Sequence, residues 1–345
     1  MTVERDILTI VNGPAEGVGG ETEVEAHLVA DLHCELGEGI IYDNAKDVIY
    51  FTDILGRRFH RISLVDGSRE SFGFKKMIGS FALRPKDKNG FLCAWEDGFQ
   101  LYNLEHKAKE GEELPMEDWK NDPAALGPMS VGPKVNHGLP TRLNDGRCDR
   151  EGKRYICGGY FGMDQSKRMQ VFRCETDQES GGLVHQSLIS NVRVTNSLCF
   201  SPDGGTLYFA DSPTRTINRY DYNKSTGDIK KKDDVLFEEP VKTVPDVPDG
   251  SCVDVEGFVW NAVWRDGKGS SFVRRLDPVS GAKVFTVKMP DETSQVSCCC
   301  FGGKDLDVLF ITTAGETVNK EIETHAGGVY AVKLPFKGLP EARFG

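Results

Sequence analysis

The chain has 345 residues, of which 39% are hydrophobic, and a formal net charge of −11 from 53 acidic and 42 basic residues. Because so acidic a chain repels phosphate backbones, we expect no nucleic-acid partner. No apolar stretch approaches the ~20 residues that a membrane span requires, and the N-terminus lacks a basic region followed by a long apolar run. We therefore expect neither a membrane partner nor a secretory signal.

The chain has ten cysteines, and Cys93, Cys157, Cys174, Cys199 and Cys252 lie inside apolar strands rather than in spaced frameworks. This placement favours reduced, buried thiols and a cytoplasmic protein. The triplet Cys298, Cys299 and Cys300 cannot converge on one ion, because adjacent residues of a strand point to opposite faces. We interpret it as part of a buried strand.

Short apolar runs rich in Val, Ile, Phe and Tyr alternate along the chain with turns rich in Asp, Asn, Gly and Pro, and long helical periodicities are nearly absent. This pattern predicts an all-β fold. A recurrent turn position marks six units, at Asp43, Arg84, Asp149, Ser201, Asp254 and Gly302. The fourth unit predicts strands at residues 195–202, 206–212, 216–222 and 229–239. Four antiparallel strands per unit are typical of a propeller blade, so we predict a six-bladed β-propeller.

The last unit predicts strands at residues 296–301, 308–313 and 328–334 but no convincing fourth. Residues 23–32 precede the first unit and alternate apolar with polar positions. We predict that this N-terminal strand completes the last blade and closes the ring, because closure removes exposed strand edges. Residues 1–345 would then form a single domain.

One connection, at about residues 105–140, is much longer than the others; it begins charged and ends rich in Gly and Pro. It enters the innermost strand of the third blade. A connection of this length is usually functional or disordered. Two interpretations of this connection are equally compatible with the sequence: a lid over the centre of the ring, and a plain surface insertion.

Four of the six units carry an oxygen-bearing side chain five residues before the turn position: Glu38, Asn144, Asn196 and Asp249. Innermost strands run along the central channel of a propeller, so these side chains would converge at one mouth. Two carboxylates and two amides suit Ca²⁺, Mg²⁺ or Mn²⁺, with Zn²⁺ less typical in the absence of His or Cys. The alternative for each residue is turn capping, but a shared register in four units favours a metal site.

Arg142 lies two residues before Asn144, so strand alternation puts both side chains on one face, where the guanidinium could fix substrate oxygens or pair with a structural acid. The sequence contains no G-x-S-x-G, H-E-x-x-H or G-x-x-x-x-G-K-[ST] motif. Since the motifs of other hydrolytic mechanisms are absent, the sequence favours metal-assisted catalysis. In that mechanism Asp249 would take a proton from an attacking water.

Several segments together resemble the regucalcin/gluconolactonase family, which includes senescence marker protein and luciferin-regenerating enzyme. The resemblance covers about residues 25–335. It rests on Leu36–Gly39, Arg142–Gly146, Val194–Leu198, Pro248–Asp254, Cys300–Gly303 and Ala326–Tyr330.

The resemblance implies a six-bladed propeller that holds one divalent cation through Glu38, Asn196 and Asp249 and opens an aldonolactone. It also implies that Arg142 and Asn144 bind sugar hydroxyls and that Asp249 is the general base. Ca²⁺ is the expected cation, with Mg²⁺, Mn²⁺ and Zn²⁺ as alternatives, and we expect a monomer whose partner is a small lactone.

One departure from the family pattern bears on the substrate. Family members that hydrolyse sugar lactones often carry a Glu shortly after the second strand of the third blade, where this chain has the aromatic, glycine-rich segment Gly158–Asp164. The substitution leaves room for a less polar lactone or ester. Three other functions stay open: a calcium-binding regulatory propeller without turnover, a phosphotriesterase-like hydrolase on the same site, and an interaction scaffold.

Overall fold

The structure is a computed structural model that describes residues 2–17, 19–20, 22–88, 90–103, 141–161, 168–239, 246–265, 269–290 and 293–345. Within these ranges the regular secondary structure is almost entirely β. The exceptions are a short helix, α1 (Ile7–Asn12), and one 3-10 turn at Ser212–Thr214. No helix in the described part is long and apolar enough to cross a membrane.

The strands follow one another in regular antiparallel groups. In chain order they are β1 (Glu23–Glu25), β2 (His27–Ala30), β3 (Gly37–Asp43), β4 (Val48–Asp53), β5 (Arg58–Ser63), β6 (Arg69–Gly73), β7 (Ile78–Leu83), β8 (Phe91–Trp95), β9 (Gly98–Tyr102), β10 (Arg142–Cys148), β11 (Arg154–Tyr160), β12 (Met169–Thr176), β13 (Leu183–Val192), β14 (Thr195–Phe200), β15 (Thr206–Asp211), β16 (Thr216–Tyr222), β17 (Ile229–Glu238), β18 (Asp246–Val253), β19 (Val259–Arg265), β20 (Phe272–Leu276), β21 (Lys283–Lys288), β22 (Val296–Gly302), β23 (Val308–Thr313) and β24 (Val329–Lys333).

These strands form six sheets, which are the blades of a six-bladed β-propeller, as the sequence predicts. The blades are β3–β6, β7–β9, β10–β13, β14–β17, β18–β21 with β1, and β22–β24 with β2. The four predicted strands of the fourth blade agree with the observed bounds within two residues. Four strands per blade does not hold throughout: the fifth blade has five, and the second shows three within the described residues.

Burial decreases outward along each blade. Every residue of the innermost strands β7, β10, β14 and β22 is buried, whereas the outer strands β13 and β17 are mostly exposed or half-buried. The core lies between neighbouring blades: Trp260 of the fifth blade and Phe301 of the sixth meet edge to face, with ring centroids 5.2 Å apart. Inter-blade packing of this kind fixes the innermost strands around a common axis.

The N-terminal segment joins two blades rather than one. Strand β2 pairs antiparallel with β24, with His27 opposite Ala331, and so completes the last blade as predicted. Strand β1, however, pairs parallel with β21, with Glu23 opposite Thr286. The prediction that residues 23–32 all pair with the last blade was therefore wrong for the first half, because the alternation that identifies a strand does not identify the edge it pairs with.

The residues after β24 cross the face of the ring where the innermost strands end. Gly338 N donates to Leu306 O (2.7 Å), and Phe344 N donates to Leu83 O (2.8 Å). The Arg343 guanidinium binds the carboxylate of Asp43, the last residue of β3. This C-terminal segment covers that end of the channel and leaves the opposite end, where the innermost strands begin, for the predicted site. The predicted insertion at residues 105–140 lies outside the described residues.

Candidate metal centre

A β-bulge lies near the beginning of each innermost strand. The register shifts by one residue between Glu38 and Ile41 in β3, and between Asn196 and Cys199 in β14. Equivalent shifts occur in β7, β10, β18 and β22. A bulge bends the strand and re-aims the side chains beside it. Glu38, Asn144, Asn196 and Asp249 all lie at or beside a bulge, which gives the shared register a structural basis.

The two amides from the third and fourth blades are in direct contact. Asn144 Nδ2 donates to Thr195 O (2.8 Å) and to Asn196 Oδ1 (3.2 Å). The Arg142 guanidinium donates to Asn144 Oδ1. All of these side chains are buried. The structure thus brings three of the sequence-predicted residues into one hydrogen-bonded row at the mouth of the channel.

Asn196 is held on its other side by Ser212. Asn196 Nδ2 donates to Ser212 Oγ (2.8 Å), and Ser212 Oγ donates to Pro248 O (2.7 Å). These bonds place the amide nitrogen of Asn196 against the fifth blade, so its oxygen is the atom directed to Asn144. Ser197 Oγ donates to Asp249 O (2.6 Å) and fixes the backbone of the neighbouring ligand candidate.

Three buried carboxylates belong to innermost strands of three different blades: Glu38 of β3, Asp145 of β10 and Asp249 of β18. Burial, and then the charge of Asp145, raise the pKa of Glu38 to about 8. Burial and then the charge of Glu38 hold the pKa of Asp249 well above its usual range. Burial also raises the pKa of Asp145 to about 6. Like charges raise each other's pKa in this way, so ionised Glu38, Asp145 and Asp249 repel one another.

Arg142 contributes a buried positive charge to this group. Its guanidinium lies over the Tyr160 ring, 4.5 Å from the centroid. Burial lowers the pKa of Arg142, whereas the nearby charges of Tyr160, Glu38, Glu316 and Asp249 raise it. The guanidinium therefore faces the carboxylates and stacks on an aromatic ring, which suits a group that orients substrate oxygens.

The residues present fit a hard divalent cation. Asp249 Oδ1 is buried and has no hydrogen-bond partner among the described residues. A buried carboxylate oxygen without a partner is costly unless a cation or a donor binds it. Carboxylate and amide oxygens are the ligands that Ca²⁺, Mg²⁺ and Mn²⁺ prefer. Glu38, Asn196 and Asp249 supply those oxygens from three different blades.

Sequence reasoning missed Asp145 and Ser212. Strand alternation would direct Asp145 away from the face that carries Asn144, but the bulge between Leu143 and Gly146 breaks the alternation. Asp145 Oδ2 then accepts from Leu198 N (2.9 Å) on the next blade. Ser212 lies in the 3-10 turn after β15, and no pattern in the sequence distinguishes it from other turn serines.

One apolar cluster lies on the face of the ring where the innermost strands begin. Leu36 precedes β3 and bridges to Ala314, Met77 precedes β7, and Trp264 bridges to Gln295 just before β22. The apolar residues among these belong to one hydrophobic cluster, which we call the apolar arc. Its members are Leu36, Ile54, Leu55, Met77, Trp264 and Ala314. It runs from the fifth blade through the sixth and first to the second, whereas Arg142, Asn144 and Asn196 occupy the third and fourth.

Residues 36–315 match the family described as the SMP-30/Gluconolactonase/LRE-like region. The chain belongs to this family. The match spans all six innermost strands and includes Glu38, Arg142, Asn144, Asn196 and Asp249. The resemblance inferred from the sequence motifs is therefore confirmed at the level of the family.

Curated relatives cover nearly the whole chain. The provisionally named sugar lactone lactonase YvrE of Bacillus subtilis (strain 168) is 28% identical over 326 residues, which cover 93% of this chain and 99% of the relative. Regucalcin of Danio rerio is 29% identical over 313 residues, which cover 89% of this chain and 93% of the relative. The family thus contains proteins named as lactonases and proteins named regucalcin.

The fold also matches solved structures. A calcium-binding protein, regucalcin, from Agrobacterium tumefaciens superposes with a TM-score of 0.75 at 24% identity, covering 94% of this chain and 99% of that chain. At this identity the likeness shows the fold alone. The six-bladed propeller predicted from the repeats is confirmed.

Proposed function

We propose that the protein is a divalent-metal-dependent hydrolase that opens a lactone ring. The observation that carries the proposal is the buried carboxylate of Asp249, whose Oδ1 has no hydrogen-bond partner among the described residues and whose pKa is raised by burial and by the charge of Glu38. We infer that Glu38, Asn196 and Asp249 direct oxygens to one cation. Membership of a family with members named as lactonases supports the same reaction class.

The proposed cation ligands are Glu38, Asn196 and Asp249, and the proposed cation is Ca²⁺, with Mg²⁺, Mn²⁺ and Zn²⁺ as alternatives. When bound, the cation would supply the positive charge that keeps both carboxylates ionised and would polarise the lactone carbonyl. The calcium-binding description of the Agrobacterium tumefaciens regucalcin supports Ca²⁺ as the first choice.

The chain's own residues then have separate roles. Asp249 accepts a proton from the attacking water and returns it to the ring oxygen as the carbon–oxygen bond breaks, which yields the hydroxy acid. Arg142 and Asn144 hold oxygens of the substrate, since they already contact each other at the mouth. Ser212 positions Asn196 and has no role in proton transfer.

The substrate we propose is a lactone with an apolar part. Support comes from the apolar arc on one side of the mouth and from Tyr160, which stacks beneath Arg142 on the other. In the sequence pattern of sugar lactonases an acid stands near this position. In this chain the aromatic ring of Tyr160 lies there instead. It offers an apolar surface rather than a charged group that would bind sugar hydroxyls.

A calcium-binding propeller without turnover is the second candidate, and the regucalcin relatives favour it. A pH-stat screen separates the two. Purified protein is stripped with chelator, loaded with each cation in turn, and supplied with gluconolactone, longer-chain alkyl lactones and a phosphotriester. Metal-dependent acid release from the lactones supports the proposal. Metal binding without acid release from any compound supports the calcium-binding alternative, and turnover of the phosphotriester alone would overturn the lactonase assignment.

A further inference from the structure

A second group of metal-ligating side chains lies at the seam where the ring closes, next to Leu36 and Ile54 of the apolar arc. It consists of Cys34, Asp53 and His60, which are 2%, 4% and 4% exposed. One ligand atom from each residue lies within 4.8 Å of the other two. Unlike the oxygen-rich group at the mouth, this group includes a thiol and an imidazole.

The three residues come from two sides of the seam. Cys34 lies in the link between β2, the outer strand of the last blade, and β3, the inner strand of the first. Its backbone is tied to the last blade, because Cys34 N donates to Gly327 O (3.0 Å) and Cys34 O accepts from Gly315 N (3.1 Å). Asp53 and His60 belong to β4 and β5 of the first blade.

The imidazole is oriented toward Cys34. His60 Nδ1 lies 2.7 Å from Ser71 Oγ, and the ring stacks on Phe51 with centroids 4.8 Å apart. When Nδ1–H donates to Ser71, Nε2 keeps a free lone pair, and Cys34 Sγ lies 3.8 Å from that nitrogen. Metal-ligating histidines almost always donate the other ring N–H to an oxygen in this manner.

The carboxylate is also fixed in place. Asp53 Oδ1 accepts from Leu36 N (2.9 Å) and Gly56 N (3.0 Å), and Oδ2 accepts from Glu35 N (3.1 Å). These bonds hold Asp53 against the link that carries Cys34. The three potential ligands are therefore ordered by neighbours that do not depend on a metal.

We propose that Cys34, Asp53 and His60 bind one Zn²⁺ ion that joins the last blade to the first. Zinc–sulfur and zinc–nitrogen distances of about 2.3 and 2.0–2.1 Å in a tetrahedron place the two ligand atoms about 3.6 Å apart, close to the 3.8 Å observed between Cys34 Sγ and His60 Nε2. A thiolate with an imidazole selects zinc over Ca²⁺ or Mg²⁺. On binding, the thiol proton leaves to solvent, and three protein ligands leave one position for a small ligand such as water.

The test measures the metal content and spectrum of the full-length protein. Cells are grown with added Zn²⁺ or Co²⁺, and the purified protein is dialysed and compared with Cys34→Ser and His60→Gln. Cys93→Ser is the matched control, since Cys93 is a buried thiol in another part of the core. Asp249→Asn is the control for the mouth site. Cobalt bound by a thiolate shows a near-ultraviolet charge-transfer band that an oxygen-only site lacks.

We expect about one zinc per chain, and the cobalt–thiolate band, in wild type, Cys93→Ser and Asp249→Asn, and neither in Cys34→Ser or His60→Gln. If those two variants fail to fold, Ser71→Ala replaces them, because it leaves the ligands in place and should weaken zinc binding about 10- to 100-fold. A wild-type protein without zinc and without the band would show that Cys34 and His60 form only a hydrogen bond. Unchanged zinc affinity in Ser71→Ala would show that the bound zinc is not held by His60, which would also overturn the proposal.

Discussion

Ser212 orients the side-chain amide of Asn196. Asn196 Nδ2 donates to Ser212 Oγ at 2.8 Å, and the same hydroxyl donates to Pro248 O at 2.7 Å. Because the nitrogen is engaged, the Asn196 oxygen, which accepts from Asn144 Nδ2 at 3.2 Å, is the amide atom left to bind a cation. This relationship links the fourth and fifth blades at the mouth of the channel.

The first prediction is that Ser212→Ala weakens binding of Ca²⁺ about 10- to 100-fold, since Asn196 loses the partner that orients it. Isothermal titration calorimetry measures the affinity. Ser201→Ala is the control, because Ser201 caps the turn at the other end of β14 through Asp203 (2.6 Å). Equal Ca²⁺ affinities for Ser212→Ala and Ser201→Ala would contradict the proposed role.

The second prediction concerns pH. Burial raises the folded-state pKa of Glu38 from 4.5 to about 8, so the folded protein holds a proton that the unfolded chain releases above about pH 4.5. Without metal, stability should therefore fall as the pH rises from about 4.5 to 8. Glu38→Gln removes this contribution, which is on the order of a few kcal/mol. Urea unfolding in chelator at pH 5 and pH 8 should show a smaller loss in Glu38→Gln than in wild type. Equal losses would mean that the Glu38 carboxylate is not desolvated.

The third prediction tests the apolar arc. Met77→Ala should raise the KM for lactones with apolar substituents about 10-fold or more, because removing apolar contact from a pocket costs roughly 1–3 kcal/mol. The KM for gluconolactone and the metal content should stay unchanged. Val279→Ala, at an exposed position 83% accessible to solvent, is the control. A uniform change across all lactones would assign Met77 to stability rather than to substrate choice.

The fourth prediction concerns ring closure. Leu28 in β2 is 1% exposed and packs in the core between the fifth and sixth blades. Leu28→Ala should lower the free energy of unfolding by about 2–5 kcal/mol. Val184→Ala, on the exposed strand β13, should change it by no more than about 0.5 kcal/mol. Equal unfolding midpoints in urea for the two variants would show that β2 contributes little to the ring.

The sequence predicts those features that local periodicity determines. The strands of the fourth blade follow from apolar runs between turns, and the agreement at Thr216–Tyr222 is complete. The repeated register of Glu38 and Asn196 predicts residues that the structure places beside equivalent bulges. In both cases the information lies within one repeat.

Features that depend on pairing between distant segments could not be predicted. The pairing of β1 with β21 rather than with the last blade depends on which edge is open. The C-terminal segment binds through irregular contacts, such as Phe344 N to Leu83 O, that leave no periodic pattern. Asp145 was missed because a bulge suspends the alternation on which the sequence argument relies.

Turnover by Asp249→Asn under saturating cation tests the proposed mechanism most directly. The substitution keeps the shape of the side chain but removes the proton acceptor, and a general base typically contributes about 10²- to 10⁴-fold. The account predicts that kcat for the best lactone falls by that factor while calorimetry confirms a filled cation site, and that chelated wild type is inactive until the cation is restored. Near wild-type kcat in metal-saturated Asp249→Asn, or full activity of the chelated wild type, would contradict it.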